Sequence, residues 1–298
     1  MKLAAIDIGS NAARLLIVDA IPGKGKNVQF SKLNLVRVPL RLGFDVFDKG
    51  IIGEEKTQMV MNTMMAFRNL LDAYGVKYLK ACATSAMRDA KNSKAIIENV
   101  KKKTNIQIEV ISGDMEAGLV FENQIAEKLE KDKGYLYIDV GGGSTELSYY
   151  NAGRHKAKQS FNIGTIRLLR KDVTPEMWME MKEFIEKNIK SKKPVLAIGS
   201  GGNINKVFSI SRNKDNSPLT LNLLKDYFKE FSALSVEERI NKYKLKADRA
   251  DVIVPALEIY TNVMRWADAK EIYVPKIGVA DGLVHQLYHE VVAQRTAS

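Results

Sequence analysis

Residues 138–146 read Ile-Asp-Val-Gly-Gly-Gly-Ser-Thr-Glu, a glycine-rich stretch between two predicted strands. An apolar strand at 135–140 runs into it, and a second strand at 145–151 leaves it. Segment 4–11, Ala-Ala-Ile-Asp-Ile-Gly-Ser-Asn, repeats the order of strand, aspartate and glycine-containing turn about one domain length earlier. The repeat predicts two related α/β domains, each built on a β-hairpin with a glycine-lined turn.

A nucleotide-binding βαβ unit is the main alternative for the turn at 141–143. It would need the pattern G-x-G-x-x-G at the start of a helix. The segment that follows, Glu-Leu-Ser-Tyr-Tyr at 146–150, lacks the periodicity of an amphipathic helix. We therefore predict hairpins at both places. Their turns either bring backbone N–H groups close to an anion, because glycine has no Cβ, or are plain tight turns.

A third glycine cluster lies at 199–203, Gly-Ser-Gly-Gly-Asn, between a predicted strand at 194–198 and a helix. Amides at the start of a helix favour anions. An ordinary strand-to-helix turn is the alternative.

The rest of the chain reads as alternating strands and helices, in about two domains for 298 residues. We place an N-terminal domain at 1–130 and a C-terminal domain at 131–298, with the last helix, at about 281–298, able to pack back on the first domain. Helices are predicted at 54–74, ended by Gly75, and at 114–131. Residues 249–267 read as one long helix that Pro255 should kink.

Composition excludes several classes of protein. Hydrophobic residues make up 45% and charged residues 27%, as in globular proteins, and no apolar run is long enough to cross a membrane. The first residues do not read as a signal peptide. Cys82 is the single cysteine, so no internal disulfide forms, and we expect a cytoplasmic protein in which Cys82 is a small buried residue.

A net charge of +11 predicts anionic partners. Nucleic acid and polyphosphate are both candidates. No DNA- or RNA-binding module accompanies the scattered basic residues, so we expect no specific nucleic-acid partner.

Several stretches together carry a resemblance that runs nearly from end to end of the chain. They are 6–11 with Arg14, 83–88, 110–117, 138–146, 199–202 and 249–253. On these residues the chain resembles the exopolyphosphatase/guanosine pentaphosphate phosphatase family, within the actin-like, sugar kinase and Hsp70 superfamily. The resemblance implies two ribonuclease H-like (actin-like) α/β domains with an interdomain cleft. It also implies Mg²⁺-dependent release of terminal phosphate from polyphosphate or guanosine pentaphosphate, and homodimers are common among its members.

The resemblance also assigns site residues. The catalytic glutamate of the family matches Glu116, and its phosphate and metal loop matches Asp139, Gly141, Ser144 and Glu146. Glu116 is expected to be the general base for an attacking water, or else only to compensate the helix dipole. Asp139 and Glu146 are expected to neighbour Mg²⁺.

Further residues are candidates on their chemistry and position. Asp7 is either a third metal neighbour or a hydrogen-bonded carboxylate at a strand end. Arg14 and Arg88 are candidate phosphate clamps, although Arg14 could instead point to solvent. The expected hydroxyl, amide and backbone donors to phosphate are Ser10, Asn11, Gly141, Gly142, Gly143, Ser144, Thr145 and Gly201.

Two questions remain open at this stage. Many family members have arginine where this chain has Ala280, which weakens any inference about how a long or guanosine-bearing substrate is held. The alternatives to a hydrolase are a non-catalytic regulator that binds guanosine tetraphosphate or polyphosphate, and a kinase of the same superfamily.

Overall fold

Both predicted hairpins form in the structure, which is a computed structural model describing residues 1–23, 28–121, 133–189, 194–214, 217–275 and 277–297. The chain divides into two compact units, one of residues 1–123 with 278–298 and the other of residues 124–277. Among the described helices, none has the length and hydropathy that a membrane span requires.

The first unit is built on a mixed sheet. Its described strands lie in the order β3-β2-β1-β4-β5, with β1, β2 and β3 antiparallel and β4 and β5 parallel to β1. Strand β1 is apolar on both faces and almost entirely buried, as expected for a central strand covered on both sides. The strands are β1 (Lys2–Ile8), β2 (Ala13–Pro22), β3 (Val28–Val38), β4 (Tyr78–Ala83) and β5 (Ile108–Val110).

Helices cover this sheet. On α2, buried Val60, Met64, Phe67 and Leu71 recur at helical spacing and pack into the core, and Gly75 follows the helix with a left-handed φ of 64°. The last helix of the chain packs on β1, β2 and β4. The helices are α1 (Gly43–Lys49), α2 (Glu54–Ala73), α3 (Ser85–Asp89), α4 (Ser93–Thr104), α5 (Gly113–Phe121) and, at the end of the chain, α13 (Val279–Ala297). Part of the helix predicted at 114–131 lies outside the described residues.

The second unit repeats the plan. Its described strands are ordered β10-β11-β9-β6-β7-β8, with β6, β7 and β8 antiparallel and β9 and β11 running parallel to β6. The strands are β6 (Gly134–Val140), β7 (Thr145–Asn151), β8 (Arg154–Phe161), β9 (Val195–Ser200), β10 (Leu219–Thr220) and β11 (Glu271–Tyr273). The helices are α6 (Thr165–Leu169), α7 (Pro175–Asn188), α8 (Gly202–Ser211), α9 (Leu221–Ala233), α10 (Val236–Tyr243), α11 (Ala247–Ala250) and α12 (Ile253–Trp266).

The strand orders β3-β2-β1-β4-β5 and β8-β7-β6-β9-β11 match position by position. Three antiparallel strands followed by two parallel ones is the order expected of a ribonuclease H-like domain. The duplication inferred from the two aspartate–glycine stretches is therefore confirmed, and so is the prediction that the turn at 141–143 joins two strands rather than a strand and a helix.

The prediction of a single kinked helix over 249–267 is wrong. The structure instead has the short helix α11 and then α12, which begins at Ile253. Pro255 lies in the first turn of α12, where a missing N–H costs no hydrogen bond. The proline therefore accompanies a helix start and not a kink.

Candidate active site

The hairpin of the first unit carries an ion pair across its two strands, near the turn. Asp7 on β1 and Arg14 on β2 are directly opposite in register, and Arg14 Nη1 lies 3.2 Å from Asp7 Oδ2. Burial raises the pKa of Asp7 and outweighs the opposing effect of Arg14. Arg14 thus turns to a buried carboxylate, not into solvent, although 29% of its side chain stays exposed.

The hairpin of the second unit places two acids at the equivalent positions. Asp139 on β6 is directly opposite Glu146 on β7, and the two residues are 7% and 1% exposed. Residues directly opposite on antiparallel strands share a face and have Cβ atoms about 4.5–5.5 Å apart. Like charges so placed repel each other, and water is largely excluded from screening them. A cation would relieve that repulsion.

Hydroxyl groups surround this acidic pair. Ser160 on β8 donates from Oγ to Glu146 Oε1 at 2.8 Å. The hydroxyl of Tyr137 lies 3.5 Å from Asp139 Oδ2, and the hydroxyl of Tyr260 donates to the carbonyl of Ser200. The pKa values of Tyr137 and Tyr260 are raised well above 10, first by burial and then by Asp139. Asp139 therefore lies in a region from which water is largely excluded.

The donor set fits a hard divalent cation that keeps part of its water shell. No group of three or more histidine, cysteine, aspartate or glutamate side chains that could hold a metal occurs among the described residues. Mg²⁺ is often bound through one or two carboxylates, with waters and substrate phosphates completing its octahedron. The pair of Asp139 and Glu146 meets that requirement.

Glu116 lies where the sequence places it, in the first turns of α5. Its backbone N–H donates to the carbonyl of Ser112 at 3.0 Å, and the residue is 9% exposed. Burial raises the pKa of the Cys82 thiol, and the charges of Asp7 and Glu116 raise it further. Asp7 and Cys82 are neighbours in the register of β1 and β4.

Two other predicted residues of the first unit are held by its helices. Ser10 Oγ lies 2.7 Å from Ser85 Oγ at the start of α3, so the turn contacts that helix directly. Arg88 Nη1 donates to the carbonyl of Ile111 at 3.0 Å, immediately before the segment that enters α5. The hairpin turn therefore contacts α3, and α3 contacts the segment that leads into α5.

One predicted donor is occupied elsewhere. Thr145 donates its hydroxyl hydrogen to the carbonyl of Ile163 at 2.6 Å and is fully buried. A hydroxyl has a single hydrogen to donate. This hydroxyl hydrogen is therefore engaged within the protein, and the side chain ties the hairpin to the segment that follows β8.

The third glycine turn lies against Asp139. Gly201 has a left-handed φ of 109°, and a Cβ placed on it would lie 3.3 Å from Asp139 Oδ1 and 3.1 Å from the carbonyl of Val140. The predicted Gly201 and the acidic pair therefore belong to one cluster within the second unit. The helix α8 starts immediately after, as expected from the sequence.

Arg249 is a residue to which the sequence analysis assigned no role. A Cβ on Gly202 would lie 2.3 Å from Arg249 Nη1, so the guanidinium rests directly on the start of α8. Only glycine permits such an approach. Arg249 belongs to the stretch 249–253, one of those that carry the family resemblance. Nothing in the sequence indicates what the arginine contacts.

Comparison with known proteins gives a consistent result. The sequence profile of the Ppx/GppA phosphatase family matches residues 23–291. The chain is 29% identical over 290 residues to a bifunctional 3-dehydroquinate synthase/phosphatase of Fusobacterium nucleatum, covering 88% of this chain but only 43% of that protein. It is 26% identical over 315 residues to exopolyphosphatase 1 of Mycobacterium bovis, with 95% and 87% of the two chains covered.

The same relationship holds for structure. The crystal structure of an exopolyphosphatase from Cytophaga hutchinsonii matches with a TM-score of 0.83 and 27% identity, over 97% of this chain and 98% of that chain. Together with the duplicated strand order, this match confirms the expected fold class of two ribonuclease H-like, actin-like domains.

Proposed function

We propose that this chain, which belongs to the Ppx/GppA phosphatase family, releases the terminal phosphate of inorganic polyphosphate, of guanosine pentaphosphate, or of both. The observation that carries the proposal is the buried, facing pair of Asp139 and Glu146 beside two glycine turns. A phosphatase needs backbone donors for phosphate oxygens and a cation to neutralise their charge, and this cluster supplies the first and accommodates the second.

The proposed cofactor is Mg²⁺, held by Asp139 and Glu146. When bound, the ion would neutralise charge on the phosphate oxygens during the reaction. Asp7 was a third candidate for this task. We assign the metal to the second hairpin, since Arg14 already compensates the charge of Asp7, whereas Asp139 is opposite another acid.

Glu116 is the proposed general base. A water that attacks the terminal phosphorus must be oriented in line with the leaving oxygen and must lose a proton. Glu116 lies in the first turns of α5 and is only 9% exposed, so its carboxylate is largely shielded from bulk water.

The substrate is proposed to be held by arginines and turn amides. Arg14, Arg88 and Arg249 each present a planar guanidinium, which matches phosphate better than an ammonium group does. The proposed amide and hydroxyl donors are Ser10, Asn11, Gly141, Gly142, Gly143, Ser144 and Gly201.

The chain covers less than half of the Fusobacterium relative, so only the phosphatase activity is proposed here. The deciding experiment measures phosphate release from tripolyphosphate, long polyphosphate and guanosine pentaphosphate, with and without Mg²⁺. Release that needs Mg²⁺ and no acceptor alcohol is the expected result. Binding without turnover would identify a regulator, and turnover only with ATP and an acceptor would identify a kinase.

A further inference from the structure

The carbonyl groups of the turn Gly141–Gly143 all accept hydrogen bonds from α6, the short helix that follows β8. The N–H groups of Thr165 and Ile166 donate to the carbonyls of Gly141 and Gly142 at 3.0 and 2.8 Å. The third carbonyl, that of Gly143, accepts from the side chain of Arg167, whose Nε lies 2.8 Å away. The turn is thus held from one side by a single helix.

This arrangement dictates where the amides of the turn point. In a trans peptide the carbonyl and the N–H of the next residue point in opposite directions. The N–H groups of Gly142, Gly143 and Ser144 are therefore directed away from α6. In the part of the chain that the structure describes, none of these three amides has a hydrogen-bond acceptor. Successive N–H groups with a common direction form an anion-binding concavity.

The first unit holds its turn in the same way. Gly9 N–H donates to the carbonyl of Ala12 at 3.0 Å, as Gly141 N–H does to that of Ser144 at 2.9 Å. The carbonyls of Ser10 and Asn11 accept from the N–H groups of Gly43 and Arg41 at 2.9 and 3.0 Å. Both donors belong to α1 or the residues before it, which follow the third strand as α6 does.

The two halves reach this geometry by different chemical means. The first uses backbone donors, including Arg41 with an unfavourable φ of 53° for a non-glycine residue. The second uses the Arg167 side chain at the corresponding carbonyl. A backbone N–H in one unit and an arginine side chain in the other therefore hold the corresponding carbonyl. The two units share the orientation of the turn, although the donor differs.

Arg167 is built into this position. Its Nη1 pairs with Asp172 Oδ2 at 2.6 Å. This ion pair holds the guanidinium in place while Nε donates to the carbonyl of Gly143. The residue at the start of α6 is Gly164, where a Cβ would lie only 2.4 Å from the carbonyl of Gly142, so helix and turn are in direct backbone contact.

We propose that Arg167 is a positioning residue that presets the amides of the 141–144 turn for phosphate. It acts from behind the turn, through the carbonyl of Gly143, and does not touch the substrate. The role rests on the proposed function, in which this turn holds the phosphate chain.

The test compares Arg167→Met, which keeps much of the side-chain volume and loses the donor, with Arg167→Lys, which keeps one donor. Arg170→Met, an exposed residue at the end of the same helix, is the control for loss of charge. We measure kcat/KM for Mg²⁺-dependent release from tripolyphosphate, tripolyphosphate affinity by calorimetry, thermal midpoint, and hydrogen exchange at Thr165 and Ile166.

Arg167→Met is expected to lower kcat/KM and affinity about tenfold, the size expected for one charge-assisted hydrogen bond. Arg167→Lys should lose less, and Arg170→Met should match the wild type. Exchange at Thr165 and Ile166 should quicken in Arg167→Met while the rest of the second unit stays unchanged.

Wild-type kcat/KM and affinity in Arg167→Met would overturn the proposal. So would faster exchange throughout the second unit with a lowered thermal midpoint, since Arg167 would then serve only to stabilise that unit. If Arg167→Met does not fold, Arg167→Lys decides on the same criteria. A wild-type protein that releases no phosphate would refute the proposed function, whereas the calorimetric comparison would still test Arg167.

Discussion

Asp139 is opposite Glu146 on β6 and β7 at the position where the first unit pairs Asp7 with Arg14. The same backbone register therefore places an acid opposite a base in one unit and two acids opposite each other in the other. For this reason the proposed function assigns the cation to the second hairpin.

Replacing Glu146 tests the charge pair directly. Without metal, Glu146→Gln should raise the thermal midpoint relative to the wild type, because it removes one of two facing buried charges. With Mg²⁺ the order should reverse, since the variant loses a ligand and is stabilised less by the ion. Thermal unfolding across a Mg²⁺ titration measures both effects, and Glu180→Gln, on α7, serves as the control. Equal stabilisation of variant and wild type by Mg²⁺ would remove Glu146 from the metal site.

The Glu116→Gln substitution tests the proposed base. We expect kcat on tripolyphosphate to fall by about 10²–10⁴, the usual contribution of a general base, with substrate affinity largely kept. Glu109→Gln, an exposed glutamate on β5 of the same unit, is the matched control and should keep wild-type kcat. Comparable turnover by Glu116→Gln and the wild type would show that Glu116 is not the general base.

The contact between Gly202 and Arg249 predicts a loss of function with little loss of stability. In Gly202→Ala the new methyl group displaces the end of a flexible arginine, so the guanidinium moves while the backbone stays in place. We expect a rise in KM for tripolyphosphate of about tenfold, similar to that of Arg249→Met. Steady-state kinetics of the single and double variants measure this, and additive losses would contradict a shared mechanism.

Gly282→Ala, in contrast, should lower the stability of the fold. A Cβ there would lie 1.9 Å from the carbonyl of Leu119, a backbone atom that cannot move aside easily. The contact between α13 and α5 should therefore open, at a cost of about 1–3 kcal/mol in the free energy of unfolding. Denaturant unfolding measures this cost. An unchanged midpoint would show that the two helices can separate freely.

His285 predicts a pH-dependent contact within the first unit. Its ring lies against that of Phe30 in a tilted arrangement, with centroids 4.2 Å apart. Burial, followed by the charge of His289, lowers the pKa of His285 below the ordinary 6.5 despite Asp281. The folded state thus binds a proton at His285 less readily than the unfolded state does. The stability that the neutral ring contributes to the fold is therefore present above pH 6.5 and is lost as the pH falls below that value. His285→Phe should remove this part of the pH dependence. Thermal midpoints of both proteins between pH 5 and 8 test the prediction, and parallel curves would refute it.

Much of the fold could be predicted from the sequence. The repeated aspartate–glycine stretches predicted two hairpins because a strand, a tight turn and a second strand are specified by neighbouring residues. The bounds of β7 agree with the strand predicted at 145–151, and α8 follows the third glycine cluster as the sequence predicts. The break between α11 and α12 was missed, because the apolar pattern continues across it and Pro255 is compatible with either a kink or a first turn.

The candidate site was only partly predictable. The residue types near the turns were recognised, but the sequence does not say which atoms they contact. Thr145 is an example, since its hydroxyl bonds to Ile163, eighteen residues later. The contacts of Arg167 and Arg249 could not be predicted, because their partners Gly143 and Gly202 are distant along the chain.

By itself the sequence determined the duplicated fold, the two turns and the acidic residues beside them, because these depend on local periodicity and on glycine, whose conformational freedom is a property of the residue. Only the tertiary structure decided which charges meet across the strands and which donors are already engaged. Strand register and long-range packing set those contacts, and both arise from the burial of the whole sheet.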